Sequence, residues 1–525
     1  MVTGTAQTEN TVSRRSFKFP GAVTTLGIVT VLVWVATLFI PPGRYQLDAE
    51  GSPIPGTFEH VTVPRVFGEQ VRQLILAPIN GAYGLRGPEG VDTETVGRLF
   101  GQVGIIVFIM SIGAFISVSF ATRSLEVAVA ALAHRLRDQG WLLITSVMVL
   151  FSLLGTTMGF SVETLGFYAL FLPLMAAMGY DRLVTASMII LGALVGVMAS
   201  TVNPFSIGVA ASEAGVSLGD GIVLRSVLWV VLTAMSVAWV LRYAARVRND
   251  PGASLVGWDA PEEASAAGAP PQDAGPPGME AGHRLTGMQK RVLAITAAAF
   301  GLMIFSVIPW SSVLGGRAAP ADYYGTHEVE GAQPFWFELN WWFPELAMLF
   351  ILASVLVGFV AKMGEKETVR LIAAGASDMM GPALVVVLAG GVSVIMNNTQ
   401  TLDTILHSME TVVSGASAGF FVFLTVLVNI PLAFLVPSSS GHAALVMPLL
   451  APLADFAQVS RAGTITAWVM GHGIALMIAP TSVVLVGGLA IAKVGYDRYL
   501  RFVWPLVLAL FVVSTLIIGV AAGFE

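Results

Sequence analysis

Hydroxyl, amide and imidazole side chains interrupt several long apolar stretches of this chain. The clearest interruption is FLVPSSSGHAALVMP (434–448), where Ser438, Ser439, Ser440 and His442 stand between apolar runs. At a helix end, free N–H groups can bind a carboxylate, whereas carbonyls and hydroxyls can bind a sodium ion. An imidazole can also take up and release a proton. These residue types predict ligand or ion binding, unless the serines only satisfy the loop backbone.

Glu163 is the most informative ionisable residue, because it lies in GTTMGFSVET (155–164) between apolar runs. An ionisable side chain at membrane depth is costly and suggests a function. A shift of 279 residues aligns Glu163 with His442, so convergence of the two segments would bring them together. The hypothesis is that buried Glu163 carries a proton. Direct binding of a cationic group and a structural cap are the alternatives.

Two proline-containing breaks and one polar run complete the candidate set. MASTVNPFSIG (198–208) and MIAPTSVVLVGG (477–488) each place a proline beside amide or hydroxyl side chains. Proline frees a backbone carbonyl, so each break is either a binding site or a kink. The run MNNTQT (396–401) is either a further site or a helix end. The predicted substrate- or ion-binding residues are Thr156, Thr157, Ser161, Glu163, Thr164, Ser200, Thr201, Asn203, Asn397, Asn398, Ser438, Ser439, Ser440, His442, Thr481 and Ser482.

The composition predicts the elements that position these residues. The chain is 55% hydrophobic and 11% charged, whereas soluble domains carry about 25% charged residues. Apolar runs of about 20 residues, enough to span a bilayer, recur along it. We therefore expect an all-α polytopic membrane protein, with the lipid bilayer and not nucleic acid as a partner. The absence of cysteine excludes disulfides and thiolate metal sites, and sodium is the only metal ion considered.

Six regions follow from the alternation of apolar and polar stretches, with an amphipathic surface helix at 122–140. They are a cytoplasmic N-terminal tail (1–20), a first transmembrane helix with an external segment (21–99), a first inverted repeat (100–244), a flexible cytoplasmic linker (245–287), a seventh helix with an external loop (288–344) and a second inverted repeat (345–525).

The distribution of lysine and arginine indicates the orientation. With a cytoplasmic N-terminus, 19 of the 27 basic residues lie inside and 8 outside, as the positive-inside rule requires. This topology closes only if 145–180 and 416–460 each enter the membrane and return to the same side. Irregular backbone at that depth must be buried in protein or line a cavity. The sequence therefore predicts two re-entrant hairpins with polar tips.

The two halves of the chain are related by an internal repeat. The 279-residue shift aligns Pro173 with Pro452 and Arg182 with Arg461. Arg182 lies inside and Arg461 outside in this topology, so the repeats are inverted. Inverted repeats with paired broken helices are typical of secondary transporters, whose sites lie at the membrane midplane.

Four segments carry a resemblance to a known family. FSVETLGFYALFLPL, ASTVNPFSIGVA, MNNTQTLDTILHSME and VPSSSGHAALVMPLLAPLADFAQVSR resemble signature segments of the YfcC-like group in the C4-dicarboxylate anaerobic carrier family. The resemblance covers about 20–245 and 285–520. It places the chain in the ion-transporter superfamily and implies scaffold and transport domains, elevator-type motion, a homodimer and the bacterial cytoplasmic (inner) membrane.

The same resemblance bears on the coupling ion. Relatives in the superfamily carry a Ser-Asn-Thr triplet at each hairpin tip, which binds sodium and the substrate carboxylate. Here the second tip has Ser438-Ser439-Ser440 and the first has no such triplet. Both H+ and Na+ therefore stay candidates for the coupling ion, and no cofactor is expected.

Together these features predict a secondary active transporter for small carboxylate-bearing metabolites, namely C4-dicarboxylate-type anions moved by ion-coupled symport or exchange. The alternative is an antiporter of basic amino acids such as arginine or ornithine, because Glu163 would attract a cation. The chain has no P-loop, and no GxSxG or HExxH motif surrounds Ser440 and His442, so no enzyme is predicted. An ion channel and an intramembrane hydrolase are further alternatives.

Overall fold

The computed structural model describes residues 22–46, 53–62, 67–83, 103–257, 285–314, 335–413 and 416–524. The predicted N-terminal tail and residues 258–284 of the predicted linker lie outside these ranges. The described chain is α-helical apart from a short antiparallel pair, in which Gly43–Arg44 faces Glu59–His60. Nine of its helical segments are long and apolar enough to cross a bilayer. The prediction of an all-α polytopic membrane protein is confirmed.

The described part of the first half contains nine α-helices and three short turns of other helical type, one of which, Pro251–Ala253, follows the last of these helices. The helices are α1 (Ala22–Thr37), α2 (Phe67–Tyr83), α3 (Val103–Ala121), α4 (Ser124–Arg135), α5 (Gly140–Met158), α6 (Tyr168–Ala177), α7 (Arg182–Met198), α8 (Val209–Ala214) and α9 (Ile222–Asn249). A 3-10 turn precedes α6 at Val162–Phe167, and a π turn precedes α8 at Pro204–Gly208.

The second half contains eleven described helices. They are α10 (Gly287–Val307), α11 (Trp310–Val313), α12 (Phe343–Val360), α13 (Glu365–Asp378), α14 (Met380–Asn398), α15 (Leu402–Val413), α16 (Ala418–Leu435), α17 (Ser439–Phe456), α18 (Arg461–Ile478), α19 (Val483–Ala492) and α20 (Tyr496–Ala522).

The predicted repeat is present as matching helices. Helices α4 and α15 begin 278 residues apart, as do α5 and α16, and α7 and α18 begin 279 apart. The pairs α5–α6 and α16–α17 are the two predicted hairpins. The pairs α7–α8 and α18–α19 are the two predicted broken helices. The amphipathic helix predicted at 122–140 is α4.

Helix α9 shows that the repeats are inverted. It has 28 residues, which is about 42 Å of helix and enough to cross the membrane. Before its first residue, a Cβ placed at Gly221 would lie 3.3 Å from Cβ of Ala462, at the start of α18. Near its other end, Tyr243 Oη donates to Asp181, the N-cap of α7, at 2.6 Å. Helices α7 and α18 therefore begin at opposite ends of α9.

The segment 41–99 differs from the external segment that the sequence predicts. It contains α2, which packs along the membrane-spanning helix α14. A Cβ placed at Gly81 would overlap the backbone of Gly390 and Gly391, near the middle of α14. Helix α2 therefore lies at membrane depth. The sequence of α2, FGEQVRQLILAPINGAY, does not indicate a position at membrane depth, because polar residues and Pro78 interrupt its apolar pattern.

Candidate functional site

The first tip, residues 155–167, joins α5 to α6. Helix α5 ends at Met158 and is capped by Gly159, whose φ of 71° is in the left-handed region that favours glycine. A Cβ placed there would lie 2.9 Å from Asn203 Oδ1 and 3.0 Å from the Phe205 ring. The first tip thus packs directly against the first break, residues 199–208.

Two threonines tie the first tip to the first break. Thr156 Oγ1 donates to the Ala199 carbonyl at 2.6 Å, and the Thr201 N–H donates to Thr156 Oγ1 at 3.0 Å. Both side chains are buried. Thr157 and Thr164 donate locally, to the carbonyls of Leu153 and Ser161. These hydroxyls are bound to backbone, so their geometry fits a structural role.

A polar cluster fills the first break. Asn203 Nδ2 donates to Ser200 Oγ at 3.1 Å, and Asn203 Oδ1 accepts the Phe205 N–H at 3.0 Å. Ser206, which the sequence analysis did not select, donates to the same Ser200 oxygen at 3.1 Å. Asn203, Ser200 and Ser206 are at most 1% exposed. The cluster holds the backbone of the break in an irregular path at membrane depth.

The second tip, residues 436–442, reaches the first break. Ser438 caps α17 by accepting the Gly441 N–H, and its hydroxyl lies 3.2 Å from that of Ser440. Ser439 Oγ donates to the Phe205 carbonyl at 3.4 Å. Phe205 therefore lies between the two tips, because its ring also borders Gly159.

The second break, residues 479–482, completes the junction. Thr481 Oγ1 donates to the Phe434 carbonyl, just before the second tip, at 3.2 Å. Ser482 is buried at the start of α19. Helix α19 packs against the 3-10 turn of the first tip, where a Cβ placed at Gly487 would lie 3.2 Å from the Leu165 side chain. The structure thus brings all four segments together, and which ligand they bind stays a prediction.

The expectation for Glu163 is wrong in two respects. Its side chain is exposed, and its carboxylate accepts the Ser161 N–H at 3.0 Å. His442 is fully buried, and its Nδ1 lies 2.9 Å from Nδ1 of His472. The 3-10 turn folds the acid back onto its own backbone, a local contact that short polar turns favour. Glu163 and His442 therefore form no pair.

The run MNNTQT lies apart from the junction. Asn397 Nδ2 donates to the Ser393 carbonyl of its own helix at 2.8 Å, and Asn398 is the last residue of α14. A Cβ placed at Gly441 in the second tip would lie 2.9 Å from Val385 Cγ1. Asn397 is twelve residues further along α14, or about 18 Å by helical rise. The geometry therefore favours the helix-end interpretation.

Arg225 is a functional candidate that the sequence analysis did not select, because the predicted topology places it among the eight basic residues outside the membrane. It is fully buried in α9, where Nε donates to the Thr201 carbonyl at 3.1 Å and Nη2 to the Leu218 carbonyl at 2.9 Å. It thus places a guanidinium group against the first break. An arginine inside the apolar run IVLRSVLWVV was the available signal.

Asp220 lies in the turn before α9 and faces this guanidinium. Burial raises the pKa of the Asp220 carboxyl, and the Ser217 N–H and Arg225 offset only part of that rise. Protonation of Asp220 would leave the positive charge of Arg225 less compensated.

Comparison with known proteins identifies relatives that match along nearly the whole chain. The model of the family described as C4-dicarboxylate anaerobic carrier, DcuC, matches residues 19–522. An uncharacterised protein of Haemophilus influenzae is 28% identical over 534 residues, 97% of each chain. The Escherichia coli protein named "Putative basic amino acid antiporter YfcC" is 28% identical over 538 residues, 98% of each chain.

Two solved structures share the fold. The YdaH transporter of Alcanivorax borkumensis superposes with a TM-score of 0.66 at 14% identity, covering 96% of this chain and 99% of YdaH. MtrF of Neisseria gonorrhoeae, described with a class of antimetabolite efflux pumps, gives 0.64 at 15% identity and covers 96% and 95%. At these identities the likeness concerns the fold alone.

Proposed function

Because the chain belongs to the DcuC family of C4-dicarboxylate anaerobic carriers, a family of secondary transporters, we propose that its substrate is a C4-dicarboxylate-type organic anion. The substrate carboxylates bind at the junction of the two tips and two breaks. The proposal concerns the substrate and its site, since the transporter class follows from the family.

The charge distribution at the junction is the observation that carries this proposal. Arg225 is buried against the first break and Asp220 offsets part of its charge, whereas the described residues of the tips and breaks contain no buried Asp or Glu. Helices α17 and α19 begin at the junction, after Ser438 and Ser482, and the first N–H groups of a helix have no partner within it. Such N-termini stabilise a carboxylate, whereas a cationic side chain needs a buried acid.

Exchange of basic amino acids is the second candidate. The name of the E. coli relative includes a basic amino acid antiporter, and Glu163 is an acid at the first tip. Arginine and ornithine also carry a carboxylate that the helix N-termini could bind. Exposure of Glu163, whose carboxylate already accepts a backbone N–H, favours the anion.

We extend the proposal to the whole protein in three respects. It resides in the bacterial cytoplasmic membrane with its N-terminus inside, as the distribution of basic residues supports. It acts as a homodimer and moves its hairpins as an elevator, as its resemblance to the superfamily supports. Its coupling ion is H+, which the first tip's lack of a Ser-Asn-Thr triplet favours over Na+.

Counterflow in proteoliposomes tests the substrate. Purified protein is reconstituted with a labelled panel of succinate, aspartate, arginine and ornithine. We expect saturable exchange of succinate that unlabelled aspartate reduces and arginine does not. Exchange of arginine and ornithine without succinate would overturn the proposal in favour of the antiporter. Flux that does not saturate would indicate a channel, and chemically altered substrate would indicate an enzyme.

A further inference from the structure

A buried pair of imidazoles lies directly behind the second tip. His442 is in the first turn of α17, three residues after Ser439, and His472 is in α18. Both side chains are 0% exposed, and their Nδ1 atoms are 2.9 Å apart. The pair is therefore shielded from lipid and solvent but adjacent to the substrate junction.

The other nitrogen of each ring has no partner among the described residues. Nε2 of His442 and Nε2 of His472 are buried without a hydrogen bond, as is Nε1 of Trp468. The Trp468 ring stacks on His472 at 5.8 Å and meets His442 nearly edge-on at 5.6 Å. Buried polar atoms without partners are costly and rare in native proteins. Two such atoms in one pair call for a functional explanation.

The tautomers of the pair define what it can bind. When both rings are neutral, one Nδ1–H donates to the lone pair of the other Nδ1. One of the two free Nε2 atoms then carries a hydrogen, and the other presents a lone pair. The pair therefore offers a single vacant proton-accepting position in the protein interior.

We propose that the His442–His472 pair is the proton-binding site of the transport cycle and takes up one proton with each substrate dianion. This inference rests on the proposed function. The proton binds to the vacant Nε2 lone pair, the Nδ1–H···Nδ1 bond persists, and the pair becomes a monocation. On release of the substrate, the same Nε2–H bond breaks and the proton returns to water.

The location of His442 explains why proton and substrate bind together. A positive charge in the first turn of a helix is opposed by the helix dipole. A carboxylate at the N–H groups of Ser439 and Ser440 would offset that repulsion. Each ligand therefore raises the affinity for the other, as linkage requires. A cationic substrate would compete with the proton instead.

The pair also adjoins the crossing of the two broken helices. Gly473, the residue after His472, packs on the backbone of Met198 at the end of α7, where a Cβ would overlap Met198 Cα. The second tip, the first break and the crossing are therefore all within a few residues of the pair. A charge on the pair can therefore affect the second tip, the first break and the helix crossing directly, without transmission through intervening residues.

Few other charges face the pair. Helices α14, α16 and α19, which pack against α17 or α18, contain no Asp, Glu, Lys, Arg or His. Tyr496 of α20 donates to the Ile478 carbonyl, and Tyr499 is buried nearby on the same helix. His407 lies in the middle of α15, where its Nδ1 is 3.1 Å from the Glu410 carboxylate. The remaining ionisable groups of the two helices and of the helices packed on them lie towards helix ends: Arg182, Glu213, Asp403, Glu410, Asp455, Arg461, Asp497, Arg498 and Arg501.

The pH dependence of succinate binding tests the inference. We compare the Kd for succinate, by calorimetry on the full-length protein, from about pH 6.5 to pH 8, where succinate is a dianion and histidine can titrate. Linkage of one proton predicts that the wild-type Kd falls by up to about tenfold per pH unit of acidification. The double variant His442→Gln/His472→Gln, which removes both imidazoles, should show a flat profile. His134→Gln, at an exposed position of α4, is the control and should keep the wild-type slope.

The outcomes separate this inference from its rivals. A wild-type Kd that does not change with pH, or a slope that persists in the double variant, would overturn it. Loss of the slope in Glu163→Gln with retention in the double variant would also overturn it, in favour of Glu163. If the double variant does not fold, proton uptake by the wild type on succinate binding, measured in weak buffer, decides: one proton per succinate is expected, and none contradicts the pair. No succinate binding by the wild type at any pH would instead contradict the proposed function.

Discussion

The hydroxyl groups at the junction fall into two classes: those bound within one repeat and one that bonds across the two repeats. The hydroxyls of Thr156 and Thr201 are bound within the first tip and the first break. Ser439, by contrast, reaches from one repeat to the other and donates to the Phe205 carbonyl over a long 3.4 Å. A weak bond of this kind is readily exchanged for one to a ligand. We therefore propose that the Ser439 hydroxyl binds substrate.

Replacement of Ser439 by alanine should weaken substrate binding. A ligand group left without its partner loses about 1–3 kcal/mol, which is about five- to hundredfold in the Kd for succinate. Ser417→Ala removes a comparable cap hydroxyl at the exposed start of α16 and is the control. An unchanged Kd in Ser439→Ala, with normal insertion, would return Ser439 to a structural role.

The sequence predicted some of these residues and missed others for identifiable reasons. Asn203 and the three serines were recognisable because polar residues beside proline interrupt apolar runs. Arg225 was missed because its guanidinium contacts the first break from a different helix, α9, and the sequence pattern does not determine that contact. His472 was missed because its partner is thirty residues away, and the sequence pattern does not determine that contact. Glu163 was misjudged because its exposure depends on how the tip folds.

At the scale of elements, the crossing of α7 and α18 determines how closely the two repeats approach. Gly473 allows α18 to touch the backbone of α7 at Met198. In the first repeat, Gly196 similarly allows α7 to touch the backbone of α5 at Ser152. Glycine is required at these positions by close approach, not by backbone conformation.

Gly473→Ala should destabilise the protein and impair transport. The added methyl would overlap Met198 Cα, and overpacking of this kind typically costs about 1–3 kcal/mol. Gly301→Ala in α10 is the matched control, because its Cβ would have nothing within 4 Å. Thermal unfolding of the purified protein in detergent measures the effect. Equal melting temperatures for the two variants would contradict the close crossing.

At the scale of the whole molecule, the two halves of the chain exchange helices. Helices α12 and α13 of the second half pack against α3 of the first, whereas α1 and α2 of the first half pack against α14 of the second. Gly375 lies on Gly113 just as Gly81 lies on Gly390. Each half of the chain therefore packs closely against helices of the other half.

The hairpins and the breaks were predictable because each is marked by a local sequence pattern. The inversion of the repeats was predictable from the side of the membrane on which the basic residues lie. The exchange of helices was not, because it depends on contacts between distant segments. Helix α2 was overlooked for a related reason. Its half-polar sequence is stable at membrane depth only because α14 covers one face of it.

Labelling from one side of the membrane tests the inverted topology. The chain has no cysteine, so single-cysteine variants need no altered background. Ser408→Cys on α15 and His134→Cys on α4 replace exposed residues on corresponding helices. A membrane-impermeant maleimide applied to intact cells should label Ser408→Cys, and His134→Cys only after permeabilisation. Labelling of both variants from the same side would contradict the inversion.

Substrate protection of the two tips tests most directly whether they form one site. Ser161→Cys in the first tip and Pro437→Cys in the second replace half-buried residues, and exposed Ser408→Cys is the control. Maleimide labelling is measured in detergent, where both sides are accessible, over a series of succinate concentrations. One shared site predicts that both tip cysteines are protected with the same half-maximal concentration and that Ser408→Cys is not. Protection of only one tip, or of neither while transport saturates, would contradict the account.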